Sequence, residues 1–357
     1  MNTTPHPDNA AIREARRNNL KMRERDLATQ LGISEARFLD AFVGEHVDRI
    51  EPDLDVFFPM LNAAGEVMAL SRNINAVHEK TGVYENFSAG KHASVVLGKD
   101  IDLRIFPKHW RHGYHVAKPM DDGSVQRSFQ FFDVRGDAVH KVFARETTDI
   151  AKWNLIRERL YKDDAGPAFR AAPPAKPATT PTHEAISSLR ETWAGMEDTH
   201  QFQSMLRKTG ISRHDAIRLI GEDYAERLTE DSADILFERL SKDEVPIMAF
   251  VRNPGILQIH SGPVRNIKQV GPWLNVLDSG FHLHLRKDKF AAIWVVRKPT
   301  KSGDIYSIEI FDERDEQVLL INGDRRGGDV SESVSRWDDV IQALPRAQAS
   351  KHPEVMQ

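Results

Sequence analysis

The chain is written twice. Gly32-Ile33-Ser34 recurs as Gly210-Ile211-Ser212, and Gly44-Glu45 as Gly221-Glu222. Arg72-Asn73 returns as Arg252-Asn253, Asn86 as Asn266, and Lys118-Pro119 as Lys298-Pro299, a shift of 180 residues from 118 to 298. Phe132-Asp133 matches Phe311-Asp312 after a one-residue slip. Such a duplication constrains the fold before any element is assigned, because each copy must solve the same folding problem.

Each copy opens on helical spacing. In the first, Asn9–Met60 carries apolar residues at a helical period, with a break at Gly32 and a new cap at Ser34. From Glu66 the period changes. EVMALSRN, GVYENFSA, ASVVLGK, DLRIFPKHW, GYHVAKP and VQRSFQFFDV are alternating or β-rich, separated by Gly, Asp and Pro turns. They predict an antiparallel meander, closed by a helix over Asp149–Tyr161. Asp163–His183 is rich in Ala and Pro without periodicity, the composition of an extended linker. The expected fold class is α+β: a tandem repeat of a helical segment followed by a large antiparallel β-sheet, the two sheets packed together. The expected boundaries are 1–162 for the first repeat, 163–183 for the linker, 184–345 for the second repeat and 346–357 for a tail.

Composition narrows the function. The 357 residues are 40% hydrophobic and 29% charged, as in water-soluble globular proteins. No apolar run approaches a membrane span and Met1–Arg16 is polar, so neither membrane insertion nor a signal peptide is expected. The absence of cysteine excludes disulfides and thiolate ligands and fits a cytoplasmic location. A net charge of −4 argues against a general polyanion binder. One segment, LATQLGISEARFLDAF, has the look of a helix-turn-helix, so a DNA-binding regulator is an alternative reading. Its presumed recognition helix carries Glu35 and Asp40 with only Arg37 to meet a phosphate, and no nucleic-acid partner is expected.

The chemistry-bearing stretch is Met196–Arg213, MEDTHQFQSMLRKTGISR. Asp198 followed by Gln201 reads as a capping box, and Gly210 as a helix stop. Phe202, Met205 and Leu206 share one face. His200 lies nearly opposite them, in the first turn, where the helix dipole disfavours imidazolium. A neutral imidazole turned away from its own core suits a metal or heme iron; the alternative is a solvated surface histidine. In the register of the repeat, His200 is matched by Met22, so the two copies differ here.

LKMRERDLATQLGIS, DLRIF at Asp102–Phe106, DTHQF at Asp198–Phe202, ISRHDAIRL at Ile211–Leu219 and WVVRKPT at Trp294–Thr300 together resemble the bacterial hemin-degrading and hemin-transport proteins of the HemS/ChuX type, from about Arg13 to Asp339. The resemblance implies heme b as ligand or substrate, with His200 as axial iron ligand. It implies Arg104 on the distal side as the catalytic group, beside Phe106. Arg213, Lys298 and Arg325 are its implied propionate or distal cations, and Phe250 a pocket aromatic. It implies a cytoplasmic protein of heme uptake and utilisation, receiving heme from an ABC importer and degrading it with electrons from an external donor. The other implied role is a carrier that delivers heme to a separate heme oxygenase. Electron donor, product and oligomeric state stay open. The chain departs from the family at Leu320 and at Asn322-Gly323-Asp324, where relatives carry a glutamine and an aromatic-Gly-Gln run before the arginine.

Each assignment has a plainer competitor. Arg104 alternates with Leu103 and Ile105 and reads alone as a solvent-facing strand residue. Phe106 and Phe250 suit a core as well as a ligand wall. Lys298 shares its strand-end position with Lys118, which suggests a structural role. His282 and His284 fall on one strand face without a third ligand nearby in sequence, and read as packed or solvated.

Overall fold

A computed structural model of the protein describes residues 7–163, 180–326 and 330–348. Most of the 163–183 linker and the end of the 346–357 tail lie outside these residues. Among the described residues there are ten helices and two antiparallel sheets of nine strands each. The first repeat contributes α1 (Asn9–Asn18), α2 (Glu24–Gln30), α3 (Glu35–Asp40), α4 (Leu54–Ala64) and α5 (Ile150–Leu160). The second contributes α6 (His183–Ala194), α7 (Gln201–Thr209), α8 (Arg213–Ile220), α9 (Ser232–Lys242) and α10 (Val330–Ala343).

The strands repeat as faithfully as the helices. In the first copy five strands lie in the order Val47–Ile50, His112–Pro119, Val125–Phe132, Ala138–Ala144, Val67–Arg72. In the second the same order is filled by Ala225–Arg227, Ala292–Lys298, Ile305–Phe311, Gln317–Gly323, Ile247–Asn253. Register is kept too: Gln130 opposes Lys141 as Glu309 opposes Leu320.

Unit 1, the compact body built on the first repeat, buries both faces of this sheet. Phe57, Phe58 and Leu61 of α4 and Trp153 and Ile156 of α5 pack on Phe129, Phe131 and Val142. The alternate residues Tyr114 and Val116 pack with Ile12, Leu27, Phe38 and Leu39 of α1 to α3. Unit 2 repeats the scheme. Leu236, Phe237, Trp337 and Val340 of α9 and α10 cover Val295, Ile308 and Ile310, while α6 to α8 cover Ala292 and Val296. Burying one such side chain contributes about 1.5–3 kcal/mol, so these layers hold each unit together.

Several expectations are corrected. Asn9–Met60 is not helical throughout, because Val47–Ile50 forms a strand paired with His112–Pro119. GVYENFSA yields only the two-residue strand Phe87–Ser88, since Asn86 turns the chain at φ 54°. Two strands lay outside the expected segments, Ala76–Gly82 and Ala138–Ala144; both mix His and Lys into the β pattern. The helix that resembled a DNA reader, α3, is spent on packing. Ala36, Phe38 and Leu39 are buried, and Glu35 accepts from Arg72 and Lys141.

The units are not clean halves of the sequence. Unit 1 takes in Arg252–Ile259 and unit 2 takes in Ile74–Ala76. In unit 1, Asn253 Nδ2 donates to the carbonyls of Arg72 (2.9 Å) and Val139 (2.8 Å), and Trp110 Nε1 donates to Gly255 O (2.9 Å). A Cβ at Gly255 would lie 2.5 Å from Val139 Cγ1, so only glycine fits there. In unit 2, Asn75 Nδ2 donates to Asp312 Oδ2 (2.8 Å).

Unit 1 also encloses a wholly buried polar chain. His140 meets Ser71 Oγ through Nδ1 (2.8 Å) and Tyr84 OH through Nε2 (2.6 Å). Burial pushes the His140 pKa down to about 3, below its unfolded value near 6.5. The unfolded chain therefore takes the proton first, and stability falls as pH drops from 6.5 toward 3. The slope from His140 is about 1.4 kcal/mol per pH unit. Urea unfolding between pH 7 and 4 should show His140→Gln losing one proton's worth of that slope. Equal slopes in the two proteins would mean that His140 is already charged in the fold.

Candidate functional site

The helix expected around His200 forms, but two residues late. Gly210 ends α7 in the left-handed region (φ 70°). Phe202 and Met205 are buried, with Leu206 packed beside them. Half of the expected box forms: the Gln201 side chain reaches back to Asp198 N, while Gln201 N bonds the Asp198 carbonyl (3.0 Å) and not its carboxylate. The Asp198 carboxylate is taken by His200, accepting from its backbone N (2.8 Å) and facing its ring Nδ1 (2.6 Å). The Gln201 side chain accepts from the backbone N–H groups of Glu197 (2.8 Å) and Asp198 (3.2 Å). His200 is thus the N-cap of α7 rather than a first-turn residue, and its side chain makes no capping bond.

This arrangement defines the imidazole. The His200 side chain is 95% exposed. The bonds from the His200 backbone and ring hold the Asp198 carboxyl below its usual range. With Nδ1 against the carboxylate, a neutral His200 ring keeps its proton on Nδ1 and has Nε2 left for a ligand. That is the electronic state an iron ligand requires.

Beneath α7 the structure gathers two of the expected cations. Arg213, first residue of α8, donates through Nε (2.5 Å) and Nη2 (2.8 Å) to Glu309. Lys298 Nζ donates to the same carboxylate (2.7 Å) and to Ser307 Oγ (2.9 Å). Glu309 is 0% and Lys298 5% exposed. Burial alone would raise the Glu309 pKa, but Arg213 and Lys298 outweigh it and hold the carboxyl well below its ordinary range. Burial pulls Lys298 down despite Glu309, with Arg213 adding to the effect. Both cations also face the ring of Phe202, Arg213 Cζ at 4.7 Å and Lys298 Nζ at 5.0 Å from its centroid. The bonds to Glu309 use Nε and Nη2 of Arg213 and leave Nη1 able to donate elsewhere, whereas the enclosed Lys298 would have to leave Glu309 to reach a propionate.

The remaining expected residues of unit 2 line the same sheet face. Phe250 opposes Leu320, which opposes Glu309. Phe250, Leu320 and Asn322 are half-buried, beyond the part of the face that the helices cover fully. Arg325 Nη2 donates to the carbonyl of Asp304 (2.7 Å). In unit 1, Leu103 and Ile105 are buried while Arg104, between them, is 35% exposed and paired with Asp102. Phe106 is half-buried, and its N–H donates to Gly255 O (2.9 Å). His284 is tied to Asn275 through Nδ1 (2.7 Å).

Sequence reasoning missed Asp198 as the partner of His200, and it missed Glu309 altogether. The signal for Glu309 was present: a lone acid inside the apolar strand IYSIEIF must be buried and therefore paired.

Comparison with known proteins places these features in a family. The model of the haemin-degrading HemS.ChuX domain matches residues 32–160 and again 210–344. The hemin transport protein HmuS of Yersinia pestis is 34% identical over 322 residues, 90% of this chain and 92% of that one. Holo-PhuS, a heme-binding protein from Pseudomonas aeruginosa, superposes with a TM-score of 0.87 at 35% identity, covering 95% of this chain and 98% of that one. The heme degrading enzyme ChuS of Escherichia coli O157:H7 superposes at 0.84 with 30% identity, over 93% and 97% of the two chains.

The contrast between His200 and the pairs below it is measurable in the protein alone. Urea unfolding of His200→Ala should leave the midpoint unchanged. Arg213→Met removes one partner of a buried ion pair and should lose about 3–5 kcal/mol. A stability equal to the parent's would mean that Glu309 is hydrated.

Proposed function

The chain belongs to the haemin-degrading HemS/ChuX family, and on that premise we propose that it binds heme b with His200 as axial ligand, in the uptake and utilisation of heme. The observation that carries this reading is the imidazole held by Asp198 with Nε2 left for a ligand. The residues fit the group. Phe250 and Leu320 offer an aromatic and aliphatic face to a porphyrin, and a neutral nitrogen is the donor that heme iron takes.

When bound, heme supplies an iron centre and, given electrons or peroxide from outside, a ring that can be opened oxidatively. The chain's own part is to orient and to shield. Asp198 fixes the tautomer and ring plane of His200. Phe250 and Leu320 exclude water from one wall. Arg104 is the proposed group that stabilises negative charge developing during ring opening, and Phe106 a proposed ligand contact. Arg325 is the proposed propionate partner, with Arg213 able to serve through Nη1 and Lys298 by leaving Glu309. The proposed setting is the cytoplasm, downstream of a heme importer. No helix among the described residues is long and apolar enough to cross a membrane.

Degradation with release of iron is the first reading. A carrier role, passing heme to a separate oxygenase, is the second; Leu320 favours it, because it puts an apolar side chain where relatives carry a glutamine. Hemin should bind at one principal site, and His200→Ala should abolish the histidine signature in absorption and resonance Raman spectra. With a reductant and added catalase, continued Soret loss that Arg104→Ala slows about 10²–10³-fold would support degradation. Complete arrest by catalase, with bound hemin passing readily to a heme oxygenase, would support the carrier.

A further inference from the structure

The second repeat differs from the first in where it keeps its buried charge, and the difference surrounds His200. In the first repeat the acids are on the helices. Lys118 reaches Glu24 of α2 (2.5 Å), and Glu35 of α3 takes Lys141 and Arg72. The sheet position between them is the neutral Gln130, bonded to Ser128 (3.0 Å). In the second repeat Phe202 stands in place of Glu24, Arg213 in place of Glu35, and Glu309 in place of Gln130. Lys118/Lys298 and Arg72/Arg252 are common to both. The acid has moved from the helices to the sheet in the copy that has His200 where the other has Met22.

The mechanical consequence lies in α7. It has nine residues, short enough to be marginal alone, and its N-cap makes no side-chain bond. What holds its first turn is Phe202. That ring meets Trp193 edge-on (4.9 Å, 88°) and carries Arg213 and Lys298 against it. Cations can rest there, buried, only because the carboxylate they share offsets one of their two positive charges. Glu309 accepts from Arg213, Lys298 and Gln317 Nε2 (2.9 Å), leaving it no freedom to shift.

We infer that Glu309 is a positioning residue for His200: by gathering Arg213 and Lys298 onto the Phe202 ring it fixes the first turn of α7. The inference rests on the reading of His200 as the iron ligand.

The test uses the full chain as Glu309→Gln and Phe202→Leu, each read without and with hemin. In the heme-free protein, ¹H–¹⁵N correlation of the His200 ring should show the Nδ1–H tautomer in the parent and a mixture of tautomers in both variants. Hemin should then bind at least about 10-fold more weakly, with an altered axial signature, the usual scale for losing an outer partner of a metal-bound histidine. A folded Glu309→Gln protein with the parent's tautomer and affinity would overturn the inference. So would tighter hemin binding, which would mean that the freed cations serve the propionates. Should Glu309→Gln fail to fold, Phe202→Leu decides alone: the same shift supports the role of the clamp, and an unchanged ring overturns it. If the parent's hemin complex lacks a histidine signature, the ligand assignment fails, while the heme-free tautomers still decide what Glu309 does.

Discussion

A carboxylate stripped of water has to be answered by positive charge, and each unit of this chain is arranged around one such demand. Glu309 in the second repeat and Glu35 in the first lie at the seam between a helical layer and a sheet. Apolar packing brings these layers together, but it tolerates sliding. A fork of two N–H donors from Arg213 does not, because its geometry is met at one displacement of α8 along the strands. Buried pairs of this kind add little net stability over an apolar pair. Their contribution is to select one register of helix on sheet, and the position of α7 follows from that selection.

Duplication supplies an internal control for separating architecture from chemistry. Elements, strand order and register are shared, so they belong to the architecture. The glycine-isoleucine-serine cap is shared too: Ser34 accepts from Arg37 N (3.2 Å) as Ser212 does from Asp215 N (3.2 Å). Among the positions not shared are Met22/His200, Glu24/Phe202, Glu35/Arg213 and Gln130/Glu309. In the second repeat Arg213 and Glu309 meet beneath the Phe202 ring, next to the start of α7.

Much of this was legible in the residues. The repeats fixed the twofold plan, and Gly210, Phe202 and Met205 set the end and inner face of α7. Local rules failed where tertiary partners decide. A capping box presumes that the aspartate is free to cap, yet Asp198 is bound by the histidine two residues on. Arg213 and Lys298 read as available cations because nothing in their neighbourhood in sequence reveals Glu309, 96 and 11 residues away respectively. Ala138–Ala144 hid as a strand because its His140 is satisfied by Ser71 and Tyr84, distant in the chain. The exposure of Arg104, by contrast, was set by simple alternation and emerged as the strand pattern required.

The exchanged segments impose an order of events on synthesis. Unit 1 needs Arg252–Ile259, whose Asn253 and Gly255 satisfy the carbonyl of Val139 and the indole of Trp110. That segment leaves the ribosome long after the rest of unit 1. At about 5–20 residues per second, the wait is on the order of ten seconds. Through that interval the early strands have their helices but not their final neighbour, with Trp110 and the Val139 carbonyl unsatisfied. The nascent first half thus waits for its last strand longer than an independent domain of its length would.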